Sequence, residues 1–193
     1  MRKLYLLTLV SLMTAGSLFA ADVYTLDGAH SNVNFCVKHM VISTVCGRFN
    51  QFEATINFDE ADVTKSSWTG TIKTASITTD NEKRDNHLKS ADFFDVEKHP
   101  EITFKSSKIE KKGDGYVAAG TLTMRGVSKE VSIPFTVTGP ITVFGGKRIG
   151  ISATLTVNRQ DYGVSWSQKL DSGGLVVSDE VKINLDAEAV MKK

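Results

Sequence analysis

The chain has 193 residues, of which 41% are hydrophobic, with 23 Lys and Arg against 22 Asp and Glu, three prolines and two cysteines. That length fits one ordinary domain with room for a real core, and a balanced charged fraction of 23% excludes a disordered charged tail. It also excludes a nucleic-acid binder, which needs Lys and Arg in excess to neutralise phosphates.

Residues 1–20 read as a cleavable leader. Arg2 and Lys3 precede an apolar run from Leu4 to Val10, then a looser stretch to Phe19 and the small residues Ala20 and Ala21, the three parts of a secretory signal peptide. The run is interrupted by Thr8, Ser11 and Thr14 and is short for a membrane span. No Cys sits just after it, which argues against a lipoprotein anchor. Cleavage after Ala20 leaves residues 21–193, with 21 basic against 22 acidic side chains once Arg2 and Lys3 are gone. The expected location is the periplasm.

Strand follows strand beyond the leader. Val33, Phe35 and Val37 alternate with Asn32, Asn34, Cys36 and Lys38; Val45, Gly47 and Phe49 begin a second strand running towards Phe58; Trp68 to Thr79 is rich in Thr and Ile. Cys36 and Cys46 would form a disulfide if their strands are antiparallel neighbours with the same facing, and are otherwise two small buried hydrophobes. The sequence leaves both open.

Residues 80–100 break the rhythm, with many charges and the apolar cluster Leu88, Phe93, Phe94 and Val96. This predicts an ordered loop with one or two helical turns. Ile102 and Phe104 open the next strand, and Tyr116 to Met124 form another after the turn Lys112-Gly113-Asp114-Gly115. Val131 to Thr138, Arg148 to Val157 and Val181 to Glu188 then show clear period-two alternation. A second irregular piece, 159–178, carries Tyr162, Trp166 and the Gly173-Gly174 pair.

Eight one-faced strands predict an all-β antiparallel domain, either a sandwich with a filled core or a closed barrel around a cavity. A lipid-facing membrane barrel is set aside, because the aromatics form no girdles and the chain end lacks a terminal aromatic. The histidines His30, His39, His87 and His99 show no HExxH or HxH spacing, so no metal site is expected, and there is no GxSxG elbow.

Four ordered motifs are familiar. Leu26-Asp27-Gly28-Ala29-His30-Ser31-Asn32-Val33-Asn34-Phe35 leads on to Val37-Lys38-His39-Met40 and Gly47-Arg48-Phe49. Arg84-Asp85-Asn86-His87-Leu88-Lys89-Ser90-Ala91-Asp92-Phe93-Phe94-Asp95-Val96 precedes His99-Pro100-Glu101-Ile102-Thr103-Phe104. Gly120-Thr121-Leu122-Thr123-Met124-Arg125-Gly126-Val127-Ser128-Lys129 and Asn158-Arg159-Gln160-Asp161-Tyr162-Gly163 complete the set. Over about the whole of residues 21–193 the chain resembles the YceI-like polyisoprenoid-binding family; Cys36 and Cys46 are not part of that pattern.

The resemblance implies a lipocalin-like eight-stranded barrel whose pore holds a polyisoprenoid, an isoprenoid quinone or a similar amphiphilic lipid, with no cofactor besides that ligand. Val33, Phe35, Val37, Phe49, Phe52 and Phe104 would then line the pore with Ile133, Phe135, Ile151 and Leu155. By periodicity alone each of these is equally an ordinary core residue. Phe93, Phe94 and Trp166 would sit at the mouth, and Arg84, His87, Arg159 and Tyr162 are the head-group candidates. Arg84 and Asp85 have the alternative of stapling the loop to the rim.

A non-enzymatic carrier is expected, since a bilayer is as apolar as such a pore and lipid would exchange without an energy source. Its partners would be the lipid and, transiently, a membrane or membrane protein; oligomeric state is open, a homodimer included. The rival readings are an all-β hydrolase or lipid-modifying enzyme using His87 with Asp85 or Asp92, and an interaction module with a filled core.

Overall fold

A computed structural model describes residues 21–171 and 173–192; the segment read as a leader lies outside the described residues. The strands are β1 (Asp22–Leu26), β2 (Asn32–His39), β3 (Ser43–Phe49), β4 (Phe52–Phe58), β5 (Ser67–Lys73) and β6 (Ile77–Thr78), followed by the helix α1 (Glu82–Lys89). Then come β7 (Glu101–Lys112), β8 (Gly115–Met124), β9 (Val127–Val143), β10 (Gly146–Asn158) and β11 (Val177–Met191). All strand pairs are antiparallel.

Eight strands close a ring in the order β1-β4-β5-β7-β8-β9-β10-β11, with β1 returning to β11. The barrel is the expected one, but its strand list differs in three places. β1 went unread, being five residues long with one fully buried side chain, Tyr24. The stretch 45–58 is two strands: the chain breaks at Asn50-Gln51, and β3 pairs with β2 and β6 while β4 pairs with β1 and β5. The stretch 68–79 likewise divides at a single 3-10 turn, Thr74–Ser76. Alternation reports which way side chains face and is blind to where a strand changes partners.

The long strands behave as the period predicts. Ile149, Ile151, Ala153 and Val157 of β10 are buried, while Ser152 and Thr154 on the outer face bond across to Asp186 and Asn184 of β11. The outside is polar and the inside apolar, opposite to a lipid-facing barrel.

β11 holds the architecture. One edge pairs with β10 from Glu180 to Val190; the other is divided, pairing with β1 at Ala189–Met191 and with β2 between Val177 and Asp186. At the fork, the backbone oxygen of Glu188 accepts from Asp27 N (2.8 Å) and Ser31 Oγ (3.3 Å), and Glu188 N donates to Ser31 Oγ (3.1 Å). Arg148 donates to Asp27 Oδ2 (3.0 Å) and to Glu188 Oε1, and His30 Nδ1 lies 3.0 Å from Asp27 Oδ2. The hydrogen bonds from His30 and then Arg148 hold the Asp27 carboxyl down to about 2, against an ordinary 3.8.

Cys36 and Cys46 face each other across β2 and β3 and are joined as a disulfide, resolving the two readings left open.

Two predictions follow from fork and bridge. A depressed carboxyl contributes stability that is complete above its unfolded pKa and is lost as pH falls through its folded one. Asp27→Asn should therefore flatten the loss of stability between about pH 4 and pH 2 seen by circular dichroism in the unsubstituted protein; superimposable acid curves would refute it. Reducing the disulfide, which closes a separation of 10 residues, should lower the unfolding free energy by about 2.5–3 kcal/mol, read as a lower urea midpoint.

Candidate functional site

The ring is filled at one end and hollow at the other. At the closed end Tyr24 packs edge-on against Phe58 (5.7 Å between centroids), and Phe135 is held between Trp68 (4.2 Å) and Tyr116 (5.5 Å), with Ile109 and Ile149 buried around them. Above this plug lies an apolar cavity of about 550 Å³, within the range of roughly 300–1,000 Å³ usual for small-molecule sites. Along β11 its lining runs from Val177 to Ala187, about 33 Å of strand at ~3.3 Å per residue. A tilt of roughly 35–45° makes that about 25 Å of barrel axis.

Of the wall residues read from sequence, Val33, Phe35, Val37, Phe49, Phe52 and Phe104 line this cavity, as do Ile133, Ile151 and Leu155. Phe135 does not. Its side chain points inward as alternation requires, but at the level of the plug, with Trp68 between it and the hollow. Trp68 is the floor that sequence reading missed, because a Trp in a Thr-rich strand announces no depth. Val181, Ile183 and Leu185 of β11 also line the wall; their alternation was legible, their height along the barrel was not.

Two glycines shape the tube. A Cβ at Gly47 would meet Phe35 Cζ at 2.5 Å, so only glycine lets that ring lie across β3. Gly70 faces inward between Trp68 and Ile72, and a Cβ there meets nothing closer than 3.7 Å.

The mouth is framed by α1 with the residues after it, by the β2–β3 hairpin and by the segment 159–177. α1 bears charges on most of its surface, so an apolar stripe is not what seats it. Asn81 caps its start by accepting from Arg84 N (3.0 Å). The buried Asp85 carboxylate anchors it, accepting from Thr78 Oγ1 (2.8 Å), Thr79 N (2.8 Å) and Thr79 Oγ1 (2.5 Å). Burial pushes the Asp85 carboxyl up, and these hydrogen bonds outweigh it and bring it below the ordinary value. Behind the helix Phe93 is buried with its ring 5.4 Å from Trp166, and His87 meets both edge-on at 5.0 and 5.4 Å. Phe94 stands edge-on to Phe49, which in turn contacts Phe35.

The four head-group candidates separate. Arg84 and His87 lie on the cavity rim. Arg84 spends Nε and Nη2 on Thr79 (2.7 and 3.0 Å), and His87 Nε2 bonds Asp92 Oδ2 at 2.9 Å. Tyr162 is not at the cavity; it is buried against the upper core with Met124 and Val157. Arg159 borders the cavity, but its guanidinium is fully committed. Nε donates to Ser178 O (2.9 Å), Nη1 to the carbonyls of Val164 and Trp166 (both 2.7 Å), and Nη2 to Asp179 Oδ1 (2.9 Å) and Val177 O (3.4 Å). Burial pushes this guanidinium down and Asp179 raises it in part. An arginine whose five donors are used this way organises the rim and has none left for a ligand. Asp85 is equally occupied by Thr78 and Thr79, so it does not pair with His87; Asp92 does. Among the described residues no Ser, Thr or Cys side chain bonds the His87 ring, the contact a nucleophile would need.

A hollow antiparallel barrel of this form has known counterparts. Residues 24–189 match the model of the YceI-like domain. The chain belongs to the YceI-like family. A UPF0312 protein of Staphylococcus aureus is 36% identical to it, covering 86% of this chain and 95% of that one. Among solved structures, the Campylobacter jejuni YCEI protein is 36% identical with a TM-score of 0.71, covering 87% of this chain and 97% of that one. BcnA of Burkholderia cenocepacia is 28% identical with a TM-score of 0.73, covering 84% and 98%. A polyisoprenoid-binding domain of Saccharophagus degradans, at 15% identity and a TM-score of 0.62, shares the fold, covering 88% and 98%.

In this YceI-like protein Arg159 should prove structural. Arg159→Met leaves four carbonyls without their donor and should lower stability by about 3 kcal/mol. Arg159→Lys, with three donors and no planar fork, should recover only part of the loss in urea unfolding; full recovery would show that charge alone suffices.

Proposed function

We propose that the protein is an exported, non-enzymatic carrier or store for a polyisoprenoid, isoprenoid quinone or similar amphiphilic lipid, held tail-down in the barrel. One observation carries the reading: the interior is an apolar tube of about 550 Å³, plugged at one end and open at the other. A hydrocarbon tail fits such a space better than a polar metabolite does, because the wall is predominantly apolar and would replace few of the hydrogen bonds a polar group gives up with water. The likeness to the polyisoprenoid-binding domain of Saccharophagus degradans agrees with this class of cargo.

The head would rest at the mouth. Arg84 keeps Nη1 out of its bonds to Thr79, and the His87 ring stands beside Phe93 and Trp166, so a phosphate, carbonyl or hydroxyl there meets a planar donor and an aromatic surround. Export is supported by the Arg2-Lys3 start and apolar run of residues 1–20, and by the Cys36–Cys46 disulfide, which suits an oxidising compartment.

Native mass spectrometry of gently purified protein should find bound lipid. Gly70→Leu then tests the tube directly: a Cβ at this inward position meets nothing closer than 3.7 Å, so the strand accepts a side chain that projects into the hollow. It should reduce uptake of geranylgeraniol from detergent by at least about tenfold while raising the melting temperature of the empty protein, because a buried Leu contributes about 1.5–3 kcal/mol. Unaltered uptake would overturn the reading.

A further inference from the structure

The β2–β3 hairpin ends in Met40, Val41 and Ile42, which are 40%, 70% and 87% exposed. Met40 and Val41 both have left-handed backbones (φ +50° and +66°), and Ile42 N donates to His39 O (3.2 Å). Two left-handed central residues make a primed turn, the kind ordinarily built from Asn-Gly. A β-branched residue there is a conformational outlier. The chain thus sets aside turn chemistry and places apolar side chains in solvent, a local violation of the kind expected where function sets the residue.

The tip is firmly mounted. Met40 N donates to Val176 O (2.9 Å), Leu170 lies beside Val41 across Gly174, and the disulfide ties the two strands below. Its apolar surface is continuous with the cavity, since Val37, His39 and Val45 of the same hairpin, with Val176 and Val177 beside it, form the cavity wall. Lys38, whose Nζ donates to Thr44 Oγ1, and Lys169 flank it, exposed and without a carboxylate partner among the described ion pairs; the acidic groups nearby are Asp171 and, in the β11 stretch opposite Lys38, Glu180 and Asp179, the last already paired with Arg159.

We propose that the Met40–Ile42 turn is a membrane-docking tip, inserted among the lipids of a bilayer so that the mouth lies on the head-group layer and a lipid tail passes into the barrel without crossing water. The occupant is a lipid surface because the patch is small, apolar, edged by two lysines without a carboxylate partner among the described ion pairs, and continuous with the cavity. The proposal rests on the carrier reading for what passes through the mouth, and on the tip alone for docking. The molecule supplies its own control: Phe144, 96% exposed, also sits on a left-handed turn (φ +50°), but at the closed end of the barrel.

The test compares the disulfide-bonded protein with Ile42→Asp and Phe144→Asp in co-sedimentation with phosphatidylcholine vesicles, with and without phosphatidylglycerol. Ile42 has an ordinary backbone, so its substitution leaves the turn intact. The proposal expects binding that phosphatidylglycerol strengthens, that Ile42→Asp weakens by about tenfold and that Phe144→Asp leaves unchanged. No vesicle binding by the unsubstituted protein, equal losses in both variants, or no loss in Ile42→Asp would overturn it. So would a dimer that Ile42→Asp dissociates in sedimentation velocity, since the tip would then cover a second copy. Loading with geranylgeraniol from detergent, followed by native mass spectrometry, separates the two readings. Ile42→Asp should load normally there, whereas protein that binds vesicles yet never loads would defeat the carrier and leave the docking tip standing.

Discussion

The divided edge of β11 decides the shape of the molecule. A strand with one partner on each side closes a barrel evenly along its length. Here the far edge serves β1 at one end and β2 at the other, so the ring is complete around Ala189–Met191 and splays where β2 and β3 take over. The chain must leave one sheet edge and join another within a few residues, between Leu26 and Asn32, and its backbone groups still need partners. Asp27 N and the Ser31 hydroxyl find them on the main chain of Glu188, with Arg148 neutralising the Asp27 and Glu188 carboxylates from β10. The Asp27, His30 and Glu188 side chains stand close enough to hold a metal, but that arginine already occupies the place a cation would take.

From that fork follows the difference between the two ends. Where the ring is tight, aromatic side chains from facing strands meet and exclude space, as Phe135 does against Trp68 and Tyr116. Where it widens, the aromatic rings of Phe35, Phe49 and Phe94 pack against one another along the wall, and Val33, Leu155, Ile183 and Leu185 complete a lining that leaves the middle open. An apolar hollow has no way to hold water well and no dispersion partners of its own, so a hydrocarbon tail entering it gains contact on every side. In a carrier of the proposed kind, a bilayer would offer that tail nearly the same environment, so the balance between barrel and membrane would be set by head-group contacts and by the mouth, where small changes in free energy shift the partition.

How much of this could be read from the chain differs residue by residue. Alternation over 149–157 and 181–187 correctly gave inward faces, because period two is a local property of the pleat. It could not rank those faces by height, which is why Phe135, on the right face, belongs to the plug. Arg159 was visible as an arginine beside aromatics in an irregular segment. Its real work, collecting carbonyls from residues 164–178, depends on how that segment folds back, which no local pattern encodes. Tyr162 was misplaced for the same reason. The β3–β4 corner at Asn50-Gln51 was hidden because residues on both sides keep alternating while their partners change. The family motifs fared better for Arg84 and His87, which reach the rim together because they lie one helical turn apart on α1.

The β2–β3 hairpin shows how the mouth is kept open without coming apart. β3 pairs with β6 only at Arg48 and Phe49, so its outer half from Ser43 to Gly47 is a free edge. A free edge close to an apolar opening invites both fraying and pairing with other chains. The disulfide lies on the face of the hairpin away from the cavity, opposite Val37 and Val45, and ties the two strands together within that free half. It braces the hairpin without occupying the space a ligand needs. On the helix side, Arg48 does the corresponding job with a two-pronged bond to Asp80 (2.9 and 3.0 Å), joining β3 to the residue that leads into α1. The rim is thus held by polar and covalent ties around its outside, which leaves its inner surface free to be apolar.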